Sequence, residues 1–218
     1  MTRVGVRPLK LARFYPIVPN ATWLKRIAPL GIETVQLRLK DAAPAEIKRQ
    51  IAESLAICRA QGVQLIVNDY WQEAIALGAD AIHLGQDDLA ACDLAAIKAA
   101  GVRFGVSTHD EAELATALAA APDYIALGPV YETKLKAMKW APQGLICVGQ
   151  WRDEIGAWAA ATGTHPPPLV AIGGLTPERA PAVLAAGALS LAVITDFLTH
   201  SNPERRIAEW IALLKISD

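Results

Sequence analysis

Eight short apolar, β-rich runs alternate with longer helical patterns along the whole chain. They fall at residues 14–18, 34–38, 64–68, 81–84, 103–107, 124–127, 169–172 and 190–194. Helical periodicity is clearest over 45–61, 89–100, 111–121, 177–186 and 203–215. Gly62, Gly101 and Gly187 stand where a left-handed residue would end three of these helices. Strands that read as continuous apolar runs between amphipathic helices imply parallel pairing with both sheet faces covered. Eight such units in 218 residues fit a closed (β/α)8 TIM barrel at the compact end of its range. An open doubly wound sheet shares the alternation, but the count of eight and the lack of a GxGxxG after the first run favour the barrel. No linker or charge run divides the chain, so residues 1–218 are expected to form one TIM-barrel domain with 1–13 as an N-terminal extension.

Composition narrows the partners. With 21 Lys+Arg against 22 Asp+Glu the net charge is −1, which argues against nucleic acid and anionic membrane as general partners. An anion must therefore be caught by a local cluster. Cys58, Cys92 and Cys147 form no CxxC or Cys/His pattern, so a disulfide framework and a structural zinc site are not expected. The start, MTRVGVRPLK, has no apolar core of a signal peptide, and no stretch reaches a membrane span. Location in the cytoplasm is expected, and the sequence leaves homo-oligomerisation open.

In a barrel the chemistry gathers in the loops after each strand. In the second strand a period of two puts Gln36, Arg38 and Lys40 on one face and Val35, Leu37 and Leu39 on the other. If the apolar set faces the helices, an amide, a guanidinium and an ammonium point inward and call for a negative partner. A solvated strand end with snorkelling side chains is the alternative. The third strand ends Asn68-Asp69, and the fourth is followed by Gly85-Gln86-Asp87-Asp88. Asp69 and Asp88 suit Mg²⁺, a hard ion that takes oxygen ligands and often shares carboxylates with substrate phosphates; helix capping is their plainer use. Ser107 offers a hydroxyl after the fifth strand and could equally cap a helix. His83 and His109 read as hydrogen-bonded structural residues, since no nucleophile with a partner acid can be assigned to them.

The sixth unit has a long, cation-rich loop over 128–139, as lids and ligand clamps often do. Three prolines, Pro166 to Pro168, stiffen the entry to the seventh strand. That strand ends Gly173-Gly174, and the eighth ends Val193-Ile194-Thr195-Asp196. Backbone amides at these two ends can hold a phosphate, a habitual arrangement of such barrels. Two anion-binding regions, one cationic and metal-assisted and one built from backbone, imply two phosphorylated small-molecule substrates.

Taken in order, Gln36-Leu-Arg-Leu-Lys40, Asn68-Asp69-Tyr70, His83-Leu-Gly-Gln-Asp-Asp88, Gly105-Val-Ser-Thr-His109, Tyr124-Ile-Ala-Leu-Gly-Pro-Val130, Ala171-Ile-Gly-Gly174 and the Ala192-Val-Ile run resemble the thiamin phosphate synthase family. The resemblance implies a transferase that joins a hydroxymethylpyrimidine diphosphate to a thiazole phosphate and releases pyrophosphate. It casts Gln36, Arg38 and Lys40 as the diphosphate-binding strand, with Asn68 and Ser107 assisting and Asp69 and Asp88 as Mg²⁺ ligands. It casts Lys136 as the lysine that holds the diphosphate and Thr133 as the start of the segment touching the thiazole phosphate. Gly173, Gly174, Ile194 and Thr195 become the thiazole phosphate cradle. The family's Thr-x-Thr-Lys reads Thr133-Lys134-Leu135-Lys136 here, and its Val-Ser-Ala reads Ile194-Thr195-Asp196. Asp196 beside a phosphate site is expected to point away or to meet a cation such as Lys134. A thiazole tautomerase and a non-catalytic phosphate-ligand binder on the same barrel are the alternatives. The tautomerase carries a histidine where this chain has Pro129.

Overall fold

A computed structural model describes residues 9–133 and 140–215. The strands are β1 (Phe14–Val18), β2 (Thr34–Leu37), β3 (Gln64–Asn68), β4 (Ala81–Leu84), β5 (Arg103–Thr108), β6 (Tyr124–Leu127), β7 (Leu169–Ile172) and β8 (Ser190–Val193). All pair in parallel and in sequence order, and β8 closes back onto β1. The barrel expected from the sequence is the barrel observed, with strand ends displaced by at most one residue: Arg38 and Ile194 lie just past their strands, and Thr108 extends β5.

The helices are α1 (Ala21–Ile27), α2 (Pro44–Gln61), α3 (Trp71–Ala76), α4 (Gln86–Ala91), α5 (Leu94–Ala99), α6 (Glu111–Ala120), α7 (Gly144–Thr162), α8 (Ala180–Ala186), α9 (Thr195–Leu198) and α10 (Pro203–Lys215). In α2 the buried positions Ile47, Gln50, Ile51, Ser54, Leu55 and Cys58 recur at helical spacing, and Gly62 at φ 68° ends it. The helix expected over 89–100 is instead two, broken at Cys92-Asp93, because the Asp93 side chain accepts the Ala96 amide at 2.9 Å and starts α5 afresh. The helix expected from Pro177 begins at Ala180, after a turn in which the Arg179 and Ala180 amides both bond Thr176 O. α1, α3 and α9 are too short to show a periodicity, and Gly149 and Gly156 interrupt the pattern of α7.

Two apolar layers result. The outer one, between strands and helices, holds Val35, Leu37, Leu39, Phe104, Trp151 and Trp210 among others. Trp210 stacks on Phe14 at 5.5 Å between centroids, and Trp151 Nε1 donates to Thr108 Oγ1 at 2.9 Å. The inner layer fills the barrel with Tyr15, Ile17, Ile66, Ala81, Tyr124, Ala126, Val170 and Ala192. Among the described residues no helix is long and apolar enough to cross a membrane.

Gly105 is where the inner layer is tightest. Its register partner on β6 is Tyr124, whose ring atoms would lie 2.0 to 2.4 Å from an added Cβ. That ring cannot swing aside, because its hydroxyl is bonded to both Tyr15 and His83. Overpacking of this kind costs ~1–3 kcal/mol. Gly105→Ala is therefore expected to lower the unfolding free energy by about that amount in a urea titration; an unchanged midpoint would show that the ring has room.

Candidate active site

A cavity of about 610 Å³ opens over the carboxyl ends of the strands. Every sequence-predicted site residue that is described lines it: Gln36, Arg38, Lys40, Asn68, Asp69, Asp88, Ser107, Thr133, Gly173, Gly174, Ile194 and Thr195. Lys136 lies outside the described residues. The inward face of β2 follows from pairing: Gln36 faces Ile66 across β3 and Ile17 across β1, both inner-layer residues, while Val35 and Leu37 join the outer layer. The Arg38 amide donates to Val18 O at 2.9 Å, which continues the ladder one residue beyond the strand and places Arg38 at the cavity wall.

Neither Asp69 nor Asp88 caps a helix. Tyr70 and Gly85 hold the cap positions of α3 and α4, and neither helix has a side-chain cap bond. Asp69 instead adopts φ 67°, with its amide donating to His83 O at 2.9 Å, and brings its carboxyl into hydrogen-bond contact with Asp88. Burial, then the Asp88 charge and hydrogen bond, push the Asp69 carboxyl up to about 6, against the lowering pull of Arg38. Two facing carboxylates supply oxygen donors for a hard divalent ion that would relieve their repulsion. No three His, Cys, Asp or Glu side chains cluster as a metal site among the described residues. The two carboxylates, Asp69 and Asp88, would suit a hard ion such as Mg²⁺ that takes its remaining oxygens from water and substrate.

Below this rim runs a buried chain of hydrogen bonds that the sequence reading missed. Gln36 Nε2 donates to the Tyr15 hydroxyl at 2.9 Å, Tyr15 meets Tyr124 at 2.9 Å, Tyr124 meets His83 Nδ1 at 2.8 Å, and His83 Nε2 meets Ser107 Oγ at 2.8 Å. Burial, and then the Arg38 charge, lower the His83 pKa to about 4, so the ring is neutral at pH 7. With Gln36 as the first donor, the Nε2–H tautomer satisfies the whole chain, Ser107 accepting its last hydrogen. Burial also raises both tyrosines well above their ordinary range, which keeps both hydroxyls protonated. Both His83 ring nitrogens are hydrogen-bonded, and the residue also lines the cavity. Ser107 is no cap either: Asp110 caps α6 by accepting the Glu113 amide at 2.9 Å. The alternation of β1 and β6 was the available signal, since it puts Tyr15 and Tyr124 on the inner face, Tyr124 beside Gly105 of β5.

On the far side, Gly173 and Gly174 take φ 101° and 62°. A Cβ on Gly173 would come within 2.6 Å of Pro129, and one on Gly174 within 2.5 Å of Glu132 O. The pair is therefore demanded by packing as well as by any ligand: Val130 and Tyr131 amides bond Ile172 O and Gly173 O at 2.9 and 3.0 Å. Arg179 completes this seam, lying 4.5 Å over the Tyr131 ring and donating to Gly174 O. Asp196 also lines the cavity, and the cation it meets is Arg206, which donates to both its oxygens at 2.8 Å.

A (β/α)8 barrel with its cavity built from the loops after the strands defines the class, a barrel enzyme. The family model described as thiamine monophosphate synthase matches residues 15–197, and the chain belongs to that family of transferases. It is 53% identical over 204 residues to the thiamine-phosphate synthase of Rhizobium etli, covering 94% of this chain and 96% of that one. It is 45% identical over 207 residues to that of Neisseria gonorrhoeae, covering 94% and 97%. The thiamine phosphate pyrophosphorylase of Pyrococcus furiosus shares the fold at TM-score 0.79 and 21% identity, over 96% of this chain and 98% of that one.

The Asp69 carboxyl, at about 6 in the folded protein, lies above an unfolded aspartate at ~3.9. Ionising it therefore opposes folding, fully above pH ~6 and not at all below pH ~4. Asn tolerates positive φ. In EDTA, Asp69→Asn is expected to be more stable than the parent at pH 7.5, with the difference gone near pH 4, as read by urea unfolding at each pH.

Proposed function

We propose that the protein condenses 4-amino-2-methyl-5-hydroxymethylpyrimidine diphosphate with thiazole phosphate to give thiamin phosphate and pyrophosphate. The observation that carries this reading is the convergence on one cavity of Arg38, the Asp69–Asp88 pair and the glycine-rich ends of β7 and β8. Family membership at 53% identity supports the same reaction.

In this reading the bond between the pyrimidine methylene and the diphosphate oxygen breaks, and its electron pair leaves with pyrophosphate. The thiazole nitrogen then gives its lone pair to the methylene carbon, forming the new C–N bond. No protein nucleophile is needed. Arg38, Lys40 and Lys136 stabilise the charge that grows on the departing group. Mg²⁺ held by Asp69 and Asp88 would add Lewis-acid neutralisation of the same oxygens. Gln36 and Asn68, both buried at the inner ends of β2 and β3, offer amides to the pyrimidine end, and Ser107 offers its hydroxyl. Thr133 and the amides around Gly173, Gly174, Ile194 and Thr195 take the thiazole phosphate. Pro129, at the position where the tautomerase relatives carry histidine, cannot move a proton.

Purified protein with Mg²⁺ and both substrates is expected to release thiamin phosphate and pyrophosphate in equal amounts, detected by chromatography. Asp69→Ala and Lys136→Ala should each lower kcat/KM by about 100-fold or more, ~2.7 kcal/mol of transition-state stabilisation, with circular dichroism unchanged. No product above background from freshly prepared substrates would sink the reading.

A further inference from the structure

Asp196 follows directly on Thr195 at the mouth of the cavity, so a bare carboxylate there would repel a phosphate bound to the Ile194 and Thr195 amides. It is not bare. Arg206 on α10 donates through Nε and Nη2 to both Asp196 oxygens at 2.8 Å, and Trp210 Nε1 adds a third donor at 2.7 Å. Both charged side chains are largely buried, Asp196 at 9% and Arg206 at 15% exposure. Arg206 also reaches Glu178, in the loop after β7, at 3.7 Å, and Glu209 at 3.1 Å. Trp210 anchors the arrangement by its stack on Phe14 of β1.

One guanidinium thus ties the segments that follow β7 and β8 and pairs with the carboxylate that the β8 end carries. Arg206 itself does not line the cavity. We propose that Arg206 is a positioning residue for the second anion region: it pairs with the Asp196 carboxylate at the cavity wall and offsets its charge, so the incoming phosphate meets backbone amides. The proposal deepens the reading above and rests on it for the identity of the phosphate.

The mechanism is one of charge, and so it differs from simple bracing. Arg206→Gln would leave Asp196 uncompensated beside the phosphate. At surface-like dielectric such a charge weakens binding by about tenfold. Removing the carboxylate as well, in the double variant Arg206→Gln/Asp196→Asn, removes the repulsion although the brace is still lost.

The test is steady-state kinetics of the parent, R206Q, R206K, and R206Q/D196N, with each substrate varied in turn. Alongside, inorganic phosphate is titrated by calorimetry with Mg²⁺ and pyrophosphate already present. Expected for R206Q are a KM for thiazole phosphate and a Kd for inorganic phosphate raised about tenfold, with kcat and the KM for pyrimidine diphosphate within twofold. R206K, which keeps the charge, and the double variant should both return to within about threefold of the parent. A double variant as weak as R206Q, or equal losses for both substrates, overturns the proposal. If R206Q does not fold, the double variant and R206K decide: tenfold weakening in the double overturns it, and near-parental binding in both sustains it. Absence of turnover in the parent sinks the synthase reading, while the phosphate titrations still decide this one.

Discussion

Closure of β8 onto β1 is the constraint on which the rest depends. Phe14 pairs with Leu191, Tyr15 with Ala192 and Pro16 with Val193, so no strand edge is left open to solvent. A closed ring also fixes register all the way round, because each strand is held on both sides. Inner residues therefore face inner residues: Gln36 with Ile66, Asn68 with His83, Gly105 with Tyr124, Ile172 with Ala192. Once that is set, the inward sense of each strand residue is set too, and the amide bond from Arg38 to Val18 O carries the ladder one residue past β2.

The inner face is chemically lopsided. Around β2 to β6 it carries Gln36, Asn68, His83, Ser107 and Tyr124, whereas β7 and β8 contribute Val170, Ile172, Ala192 and Ile194. Gln36, Tyr124, His83 and Ser107 survive at this depth because, with Tyr15, they bond one another in a continuous chain, which avoids the penalty of an unpaired buried donor or acceptor. Arg38 acts on both sides of that chain. Burial keeps His83 neutral and the Arg38 charge adds to that effect, while the same charge eases the ionisation of Asp69 against burial and Asp88. A net charge of −1 coexists with this local field because most ion pairs lie on the outside, as in Arg49 with Glu46 and Arg26 with Glu204.

The strands were legible in the sequence because β-rich runs of four to six residues, bounded by helical patterns, leave few other readings. The facing of Gln36, Arg38 and Lys40 was legible from alternation alone. The helix break at Asp93 was not, since an apolar spacing that continues through Cys92 hides a local capping bond. The aspartates and Ser107 were ambiguous because capping and ligand binding favour the same residue types after a strand. The deciding facts, the left-handed turn at Asp69 and the His83 bond to Ser107, are tertiary. Lys134, named from the sequence as one cation that Asp196 could meet, lies outside the described residues; the partner found is Arg206, ten residues on and in another helix. Pair choice across loops follows from packing that local pattern does not encode.

The two ends of the cavity differ in what a substitution there can change. On the β2–β4 side the groups at the mouth are charged side chains, so replacing Arg38 or Asp69 changes the chemistry directly. On the β7–β8 side the candidate donors are main-chain amides, and their direction depends on backbone shape. Gly173 and Gly174 are fixed there by the close passage of Pro129 and Glu132, not by a property of their own side chains. The side chains of Thr195 and Asp196 are compatible with such a site because neither removes an amide. What a side chain there does alter is the field around the amides, and a carboxylate is compatible with an anion there only when a cation takes it up. The bidentate Arg206 contact and the Trp210 donor meet that condition from outside the cavity, leaving the amide geometry untouched. Backbone sites thus shift the selective burden from the residues that touch the ligand to those that set the charge behind them.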